Sequence, residues 1–129
     1  RSIGGAIAVE LARQHPEAAG LVLESTFTSM AEMVTYSRFN VLFPVQQILT
    51  ERFDSLAKIP DLQMPVLLFH GTADTVVSAH MSQILYDAAP EPKSLVWIEG
   101  ADHNNLTELG SDRYKAAVRE FVGEVVQTP

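Results

Sequence analysis

This 129-residue sequence begins Arg1-Ser2-Ile3-Gly4-Gly5, and these five residues give the first indication of its fold. It matches the last four positions of the pattern G-x-S-x-G, which puts a serine on a sharp turn between a strand and a helix. The first glycine, the preceding strand and an initiator methionine are not in the sequence, which predicts a fragment or a processed product. The alternative interpretation is an ordinary loop or helix-cap serine. If the motif is real, Ser2 is the most reactive side chain and the candidate nucleophile of the chain.

Composition and charge exclude several function classes. The chain is 47% hydrophobic and 19% charged, as is usual for a globular protein. A net charge of -7 without a Lys/Arg cluster argues against a nucleic-acid partner. The lack of cysteine removes disulfides, thiolate metal sites and thiol nucleophiles, and fits a reducing compartment. No apolar run approaches the roughly 20 residues that span a bilayer. We therefore expect a cytoplasmic protein, with a membrane anchor in a preceding segment left open.

Apolar runs alternate with helical patterns along the chain. Strands are predicted at Leu21–Glu24, Pro65–Gly71 and Leu95–Ile98, and helices at about Ile3–Gln14, at Ala79–Ala88 with Ser78 as N-cap, and at Asp112–Gln127. The last helix should place one apolar face inward, formed by Tyr114, Ala117, Val118, Phe121, Val122 and Val125. Strands that alternate with helices predict a parallel sheet with right-handed crossovers.

An acid and a histidine follow the second and third predicted strands. Asp74 ends the stretch Gly71-Thr72-Ala73-Asp74, and His103 follows Gly100-Ala101-Asp102. Functional groups of parallel sheets collect at the carboxyl ends of the strands. A serine hydroxyl is a weak nucleophile until a base takes its proton. Histidine can do so near neutral pH, and an aspartate can hold the imidazole in the correct tautomer. The chain order serine, aspartate, histidine therefore predicts a catalytic triad.

Plainer interpretations of these residues stay open at this point. Asp74 could be a turn residue, and His103 could be a solvated loop histidine. The rival acids Glu24, Asp54 and Asp102 are expected at a turn, at a helix cap and as an orienting group in the histidine's own loop. The other histidines, His15, His70 and His80, are less suitable as bases because they lie before a helix-ending proline, within or just past a strand, and early in a helix. None has metal-ligand spacing, so we expect no metal.

Taken together, the chain resembles the C-terminal half of the α/β-hydrolase superfamily, and most of all its serine aminopeptidase and esterase-like branch. The resemblance runs through nearly all of the sequence and rests on Arg1–Gly5, Leu23–Phe27, His70–Asp74 and Gly100–Asn104. It implies an α/β fold: a parallel sheet with flanking helices, forming one partial domain over residues 1–129. It also implies that Ser2 is the nucleophile, Asp74 the acid and His103 the base.

The resemblance carries the oxyanion hole over only in part. One donor would be the backbone N–H of Ile3, and the other belongs to a loop that precedes the sequence. The loss of one such donor costs about 10²–10³ in kcat, so we expect this chain alone to be a poor catalyst. The segment at about 27–62 lies where the family has a cap. Its aromatic residues, with Met30 and Met33, could line an acyl pocket or form the cap's own core.

The resulting expectation is a serine hydrolase of carboxylic esters, thioesters or small amides, which acts through an acyl-enzyme in the intact protein. Its partner is a small-molecule acyl substrate, and no cofactor is implied. The alternative is a catalytically silent binding module for a small apolar ligand or a protein partner.

The resemblance also implies strands that precede the sequence and flank Leu21–Glu24. Without them, Leu21–Glu24 becomes an apolar edge strand. We therefore expect self-association there, or a missing N-terminal segment that covers it.

Overall fold

The computed structural model describes residues 1–29 and 54–127, where three parallel strands form one sheet. The strands are β1 (Leu21–Glu24), β2 (Val66–Gly71) and β3 (Lys93–Ile98), in spatial order β1-β2-β3. The helices are α1 (Ile3–Gln14), α2 (Ser55–Lys58), α3 (Ala79–Ala88), α4 (Leu106–Leu109) and α5 (Ser111–Gln127), with a 3₁₀ turn at Ile59–Asp61 after α2. The predicted α/β class, with helices flanking a parallel sheet, is confirmed.

The central strand β2 divides the apolar core into two layers. All six of its residues are buried, as its continuous apolar run predicts for a strand covered on both faces. Side chains alternate across a strand. Val66 and Leu68 accordingly pack on one face with residues of α1 and α3, while Leu67 and Phe69 pack on the other with residues of α5. The sheet is therefore held between helices on both sides.

The helix α1 has the bounds that its sequence predicts. Pro16 follows two residues after its last residue, where proline's missing N–H and fixed φ stop helical bonding. Its buried residues, Gly5, Ala6, Val9 and Ala12, recur at helical spacing and face β1. This packing fixes where the N-terminus of α1, and hence Ser2, lies relative to the sheet.

A small apolar cluster supports the carboxyl edge of the sheet. Ala6 of α1 packs with Phe27, which follows β1, with Val77, which precedes α3, and with Met81 in the first turn of α3. All four side chains are at most 7% exposed. The cluster joins the beginning of α1 to the loop after β2, so the segments that carry Ser2 and Asp74 share one support.

Some boundaries differ from the sequence prediction. β3 begins at Lys93, because Lys93 pairs with Val66 across the ladder, whereas the apolar run begins only at Leu95. Val122 is 48% exposed although its spacing predicts a buried position, because Phe121 and Val125 face the sheet and Val122 lies at the margin of the apolar stripe. The start of β3 depends on backbone pairing, and the exposure of Val122 depends on the orientation of α5. The residue pattern alone predicts neither.

The segment predicted as a cap-like insert is described only at its ends. Ile59 and Leu62, near its C-terminal end, are buried with Leu68 in the main core. Residues 30–53 lie outside the described part of the chain, and with them Met30 and Met33. The cap interpretation of this segment stays a prediction.

An apolar surface lies beside β1. Within the described sheet β1 is an edge strand, and Val22 on it is 39% exposed. Ile3, Ile7 and Leu11 form an exposed stripe along α1. Self-association through Leu21–Glu24 stays a prediction. Among the described helices, none combines the length and the apolar character that crossing a bilayer requires.

Candidate active site

Ser2 occupies a strained turn at the N-terminus of α1. Its φ of 50° and ψ of -126° are unusual for a residue with a side chain, and such conformations cost about 1–3 kcal/mol. The Ser2 backbone N–H donates to the Glu24 carbonyl (3.1 Å), and the Ser2 carbonyl accepts from Gly5 N–H (2.9 Å). The turn is thus tied to the end of β1 and to the first turn of α1. Its hydroxyl makes no cap hydrogen bond.

The close approach of α1 to β1 depends on Gly5. A Cβ at this position would lie 2.0 Å from Thr26 Oγ1, far inside contact distance. Gly4, one residue earlier, has no atom within 4 Å of a built Cβ. The two glycines therefore differ in what they do: Gly5 lets the helix reach the turn after β1, and Gly4 is not needed for that contact.

Asp74 is held by the loop that follows β2. Its side chain is fully buried, and its Oδ1 accepts from the backbone N–H groups of Val76 (2.9 Å) and Val77 (2.8 Å). Its Oδ2 lies 2.9 Å from His103 Nδ1. Because an ionised carboxylate only accepts, His103 Nδ1 carries a proton in this bond, and in the neutral imidazole the lone pair therefore lies on Nε2. Among the described residues, none hydrogen-bonds that Nε2.

The loop that carries His103 is closed by its own polar side chains. Asp102 Oδ1 accepts from the backbone N–H groups of Asn104 (2.7 Å) and Asn105 (3.0 Å), and Asn105 Oδ1 accepts from Asp102 N–H (2.7 Å). Asp102 thus organises the histidine loop, as its position beside His103 suggested. The imidazole of His103, which this loop carries, is 12% exposed.

The acid and histidine loops are bonded to each other directly. Ala73 N–H donates to the Ala101 carbonyl (2.9 Å), and Gly100 N–H donates to Thr72 Oγ1 (2.8 Å). Gly71 makes this contact possible, because a Cβ there would lie 2.2 Å from the Ala101 carbonyl oxygen. The Asp74–His103 distance is therefore set by backbone contacts rather than by two free loops.

Arg1 links the turn at Ser2 to the histidine loop. Its Nη2 donates to the His103 carbonyl (2.6 Å) and to Asn104 Oδ1 (2.8 Å). Arg1 is the neighbour of Ser2, so these two bonds hold the serine turn and the histidine loop at the same edge of the sheet. No local sequence pattern signals this role of Arg1, because the contact spans 102 residues.

Two of the rival acids have partners elsewhere. Glu24 accepts a short hydrogen bond from the Tyr114 hydroxyl, whose ring stacks on Phe69 at a centroid distance of 4.4 Å. Burial, with Glu24 beside it, raises the pKa of Tyr114 to about 12, which keeps it a donor. Asp54 caps α2 by accepting from Ala57 N–H (3.0 Å), as predicted. Among the described acids, Asp74 is the one that hydrogen-bonds His103.

His70, which the sequence analysis set aside as a base, also reaches Asp74. Its Nε2 lies 2.9 Å from the Val77 carbonyl and 3.3 Å from Asp74 Oδ2, and its Nδ1 lies 2.6 Å from Ser82 Oγ. One signal could have found it: a polar side chain within a fully apolar strand must have buried hydrogen-bond partners. Although two histidines meet one carboxylate, no group of three His, Asp or Glu among residues 1–29 and 54–127 is arranged to hold a metal ion.

Comparisons with known proteins agree with this architecture. Residues 45–110 match the family model described as serine aminopeptidase, S33. The chain belongs to this family of α/β hydrolases. It is 39% identical over 125 residues to an uncharacterized protein of Mycobacterium tuberculosis, a match that covers 95% of this chain and 43% of that protein. It is 30% identical over 126 residues to human alpha/beta hydrolase domain-containing protein 17B, covering 96% of this chain and 40% of the relative.

Solved structures of other α/β hydrolases share the fold. The esterase domain of a Rhodothermus marinus protein superposes with a TM-score of 0.70 at 25% identity, covering 93% of this chain and 57% of that one. A Pyrococcus furiosus esterase gives a TM-score of 0.75 at 18% identity, with 97% and 51% covered. The chain thus spans about two-fifths of the length of the curated relatives it matches, at 43% and 40%. The expected membership in the α/β-hydrolase superfamily is confirmed.

Proposed function

We propose that this hydrolase cleaves carboxylic esters, thioesters or small amides through a covalent acyl-enzyme formed on Ser2. Asp74 and His103 would serve as its acid and base, and no cofactor takes part. A cytoplasmic location, expected from the cysteine-free composition, belongs to the same proposal. The alternative of a silent binding module remains as an outcome of the experiment below.

One observation carries the proposal: the 2.9 Å bond between Asp74 Oδ2 and His103 Nδ1 leaves Nε2 without a partner among the described residues. A neutral imidazole with its lone pair at Nε2 can take a proton from a nearby hydroxyl. Ser2 is the neighbour of Arg1, which bonds the His103 backbone. His103 Nε2 and the strained Ser2 therefore lie on two segments that contact each other through Arg1.

The reaction follows from these groups. As Ser2 Oγ bonds to the substrate carbonyl carbon, its proton passes to His103 Nε2, and Asp74 stabilises the resulting imidazolium. The carbonyl oxygen becomes an oxyanion. The tetrahedral intermediate then expels the leaving group, which takes the proton from Nε2 and leaves an acyl-Ser2 ester. A water molecule then attacks that ester and gives a proton to the same nitrogen. As the second tetrahedral intermediate releases the acid, its bond to Ser2 Oγ breaks and this oxygen takes the proton back from Nε2.

Ile3 supplies a donor for the oxyanion. As the first residue of α1, it has a backbone N–H without an intrahelical acceptor. The N-terminus of a helix also carries a partial positive charge, which favours a developing anion. Removal of one oxyanion donor typically costs about 10²–10³ in kcat, so this N–H would contribute substantially to turnover.

Fluorophosphonate labelling followed by intact-mass analysis tests the proposal. We expect a single adduct on the protein and none on Ser2→Ala, because only an activated serine reacts with this probe. Turnover of a p-nitrophenyl ester should fall by about 10⁶ in the same variant. Ser78→Ala is the matched control: Ser78 also precedes a helix and makes no cap hydrogen bond, so its loss should leave the adduct in place.

Two results would count against the proposal. An adduct that persists in Ser2→Ala would assign the reactive group to another residue. No adduct on a protein shown by circular dichroism to be folded, together with a retained apolar ligand in native mass spectrometry, would favour the binding-module alternative.

A further inference from the structure

His70 is the most enclosed polar side chain near the site. It is the fifth residue of the apolar strand β2, and its side chain has no exposed surface. Burial disfavours the charged imidazolium and lowers the pKa of His70. The ring therefore stays neutral around pH 7, with one nitrogen protonated and the other an acceptor.

Its neighbours decide which nitrogen carries the proton. The Val77 carbonyl, 2.9 Å from Nε2, can only accept, so Nε2 must be the N–H nitrogen. Nδ1 is then an acceptor, and the Ser82 hydroxyl at 2.6 Å donates to it. Ser82 and Val77 together fix a single tautomer, because the other one would leave Val77 facing a lone pair.

The protonated edge of the ring also lies against the acid. Asp74 Oδ2 is 3.3 Å from His70 Nε2, while the hydrogen bond of Nε2–H goes to the Val77 carbonyl. This is the oxygen that accepts from His103 Nδ1 at 2.9 Å. With Val76 and Val77 N–H on Oδ1, the acid loop and the histidine loop supply hydrogen-bond donors to the two carboxylate oxygens, and the partly positive edge of the His70 ring lies beside Oδ2.

We propose that His70 is a positioning residue, whose buried ring, with the Nε2–H edge 3.3 Å from Asp74 Oδ2, holds this oxygen in line with His103 Nδ1. Among the described residues, the ionisable groups that act on His70 are Asp74 and His103. The effect of His70 on turnover rests on the proposed function. If the Asp74 carboxylate could rotate freely, the His103 ring could turn its Nε2 away from Ser2. His70 itself does not touch the substrate.

The tautomer can be read without any substitution. Nitrogen-15 NMR of the histidine rings of the folded protein should show His70 protonated at Nε2, with slow exchange of that proton. A His70 ring protonated at Nδ1 would overturn the proposal, because it would present a lone pair to Asp74. This measurement does not depend on turnover, so it stands or falls separately from the role of Ser2.

Paired substitutions test the effect on catalysis. His70→Leu removes the donor but keeps an apolar side chain in the core. We expect kcat on an ester to fall by about 10- to 100-fold, the usual loss when the group that orients a functional side chain is removed. KM should stay within about twofold, because no substrate contact changes. The His103 Nδ1 proton resonance should shift in the same variant, which reports on the Asp74 bond directly.

Two further variants separate positioning from simple support of the core. His70→Gln keeps an N–H near the position of Nε2 and should recover most of the lost kcat. Ser82→Ala removes the hydrogen bond on the edge of the ring that faces away from Asp74, so it should lower the melting temperature and leave the His103 resonance unchanged. The proposal fails if His70→Leu and His70→Gln, both folded, have the kcat and His103 resonance of the unsubstituted protein. If His70→Leu does not fold, the tautomer decides: a His70 ring protonated at Nδ1 presents a lone pair to Asp74 and overturns the proposal.

Discussion

His70 and His103 reach the same carboxylate oxygen from opposite surroundings. His70 Nε2 lies 3.3 Å from Asp74 Oδ2 with its ring fully buried, and His103 Nδ1 lies 2.9 Å away with its ring 12% exposed. Ser82 occupies the remaining nitrogen of His70, whereas no described residue hydrogen-bonds the remaining nitrogen of His103. The second ring nitrogen therefore distinguishes the two histidines: Ser82 bonds Nδ1 of His70, whereas Nε2 of His103 has no hydrogen-bond partner among the described residues.

The largest expected difference lies in activity. On the proposed function, His103→Ala should lower kcat of the intact protein by about 10⁶, because it removes the base. Its effect on unfolding should be modest, since Asp74 keeps its hydrogen bonds from Val76 and Val77. Ester turnover and thermal melting of the same sample measure both quantities. A variant that keeps its turnover would contradict the base assignment.

Gly71 joins the two histidine regions, and its substitution should affect both. A Cβ there would lie 2.2 Å from the Ala101 carbonyl, so β2 and the histidine loop must move apart. We expect Gly71→Ala to cost about 1–3 kcal/mol in the free energy of unfolding and to lower kcat as well. Gly123→Ala, with no atom within 4 Å of its Cβ, is the control in α5. Equal stabilities for the two variants would refute the close contact.

Arg1 should matter for His103 and not for His70. Arg1→Ala removes the hydrogen bonds to the His103 carbonyl and to Asn104 Oδ1. Because the lost bonds stabilise the histidine loop by about 1 kcal/mol, we expect kcat to fall roughly three- to tenfold. The ring resonances of His70 should not change. Arg13→Ala, which breaks an exposed pair with Glu10 on α1, is the matched control and should leave kcat unaltered.

The smallest expected effect is on the pH dependence of stability. Burial lowers the pKa of His70 below the value of about 6.5 that it has when unfolded. Between these two pKa values the unfolded state binds more protons, so the stabilisation is complete above about pH 6.5 and is lost as the pH falls toward the folded-state pKa.

Urea unfolding at pH 7.5 and 5.5 measures this effect. We expect His70→Gln to flatten the decrease in the free energy of unfolding between the two pH values, because glutamine does not titrate. His80→Gln is the control, since His80 is exposed on α3 and should leave the decrease as it is. The same slope in His70→Gln and in the unsubstituted protein would contradict the burial argument.

Much of the fold could be predicted because the signals are local. Periodicity, with Pro16 just beyond the end of α1, gives that helix the bounds observed. The apolar run of β2 predicts a fully buried strand. The four-residue helix α4 was not predicted, because one turn is too short to show a helical period. The first residues of β3 escaped for a different reason: Lys93 is polar, and its place in the strand comes from its partner on β2.

The candidate site also has a part that the sequence predicts and a part that it does not. The sequence predicts Ser2, Asp74 and His103 as candidates because each follows or accompanies a recognisable strand end, and the structure bonds Asp74 to His103. The second contact of Asp74 was not found, because a histidine inside an apolar strand was interpreted only as a poor base. That contact depends on how α3 brings Ser82, and the acid loop brings Val77, around the His70 ring.

By itself the sequence determined the alternation of strands and helices, the superfamily, and the residue types at the carboxyl edge of the sheet. These follow from short-range steric and hydrophobic patterns, which are written along the chain. Only the tertiary structure decided which acid bonds His103 and how two histidines share one carboxylate. Hydrogen bonds between residues 29 positions apart, and the difference in burial of the two rings, exist only once the loops are packed against each other.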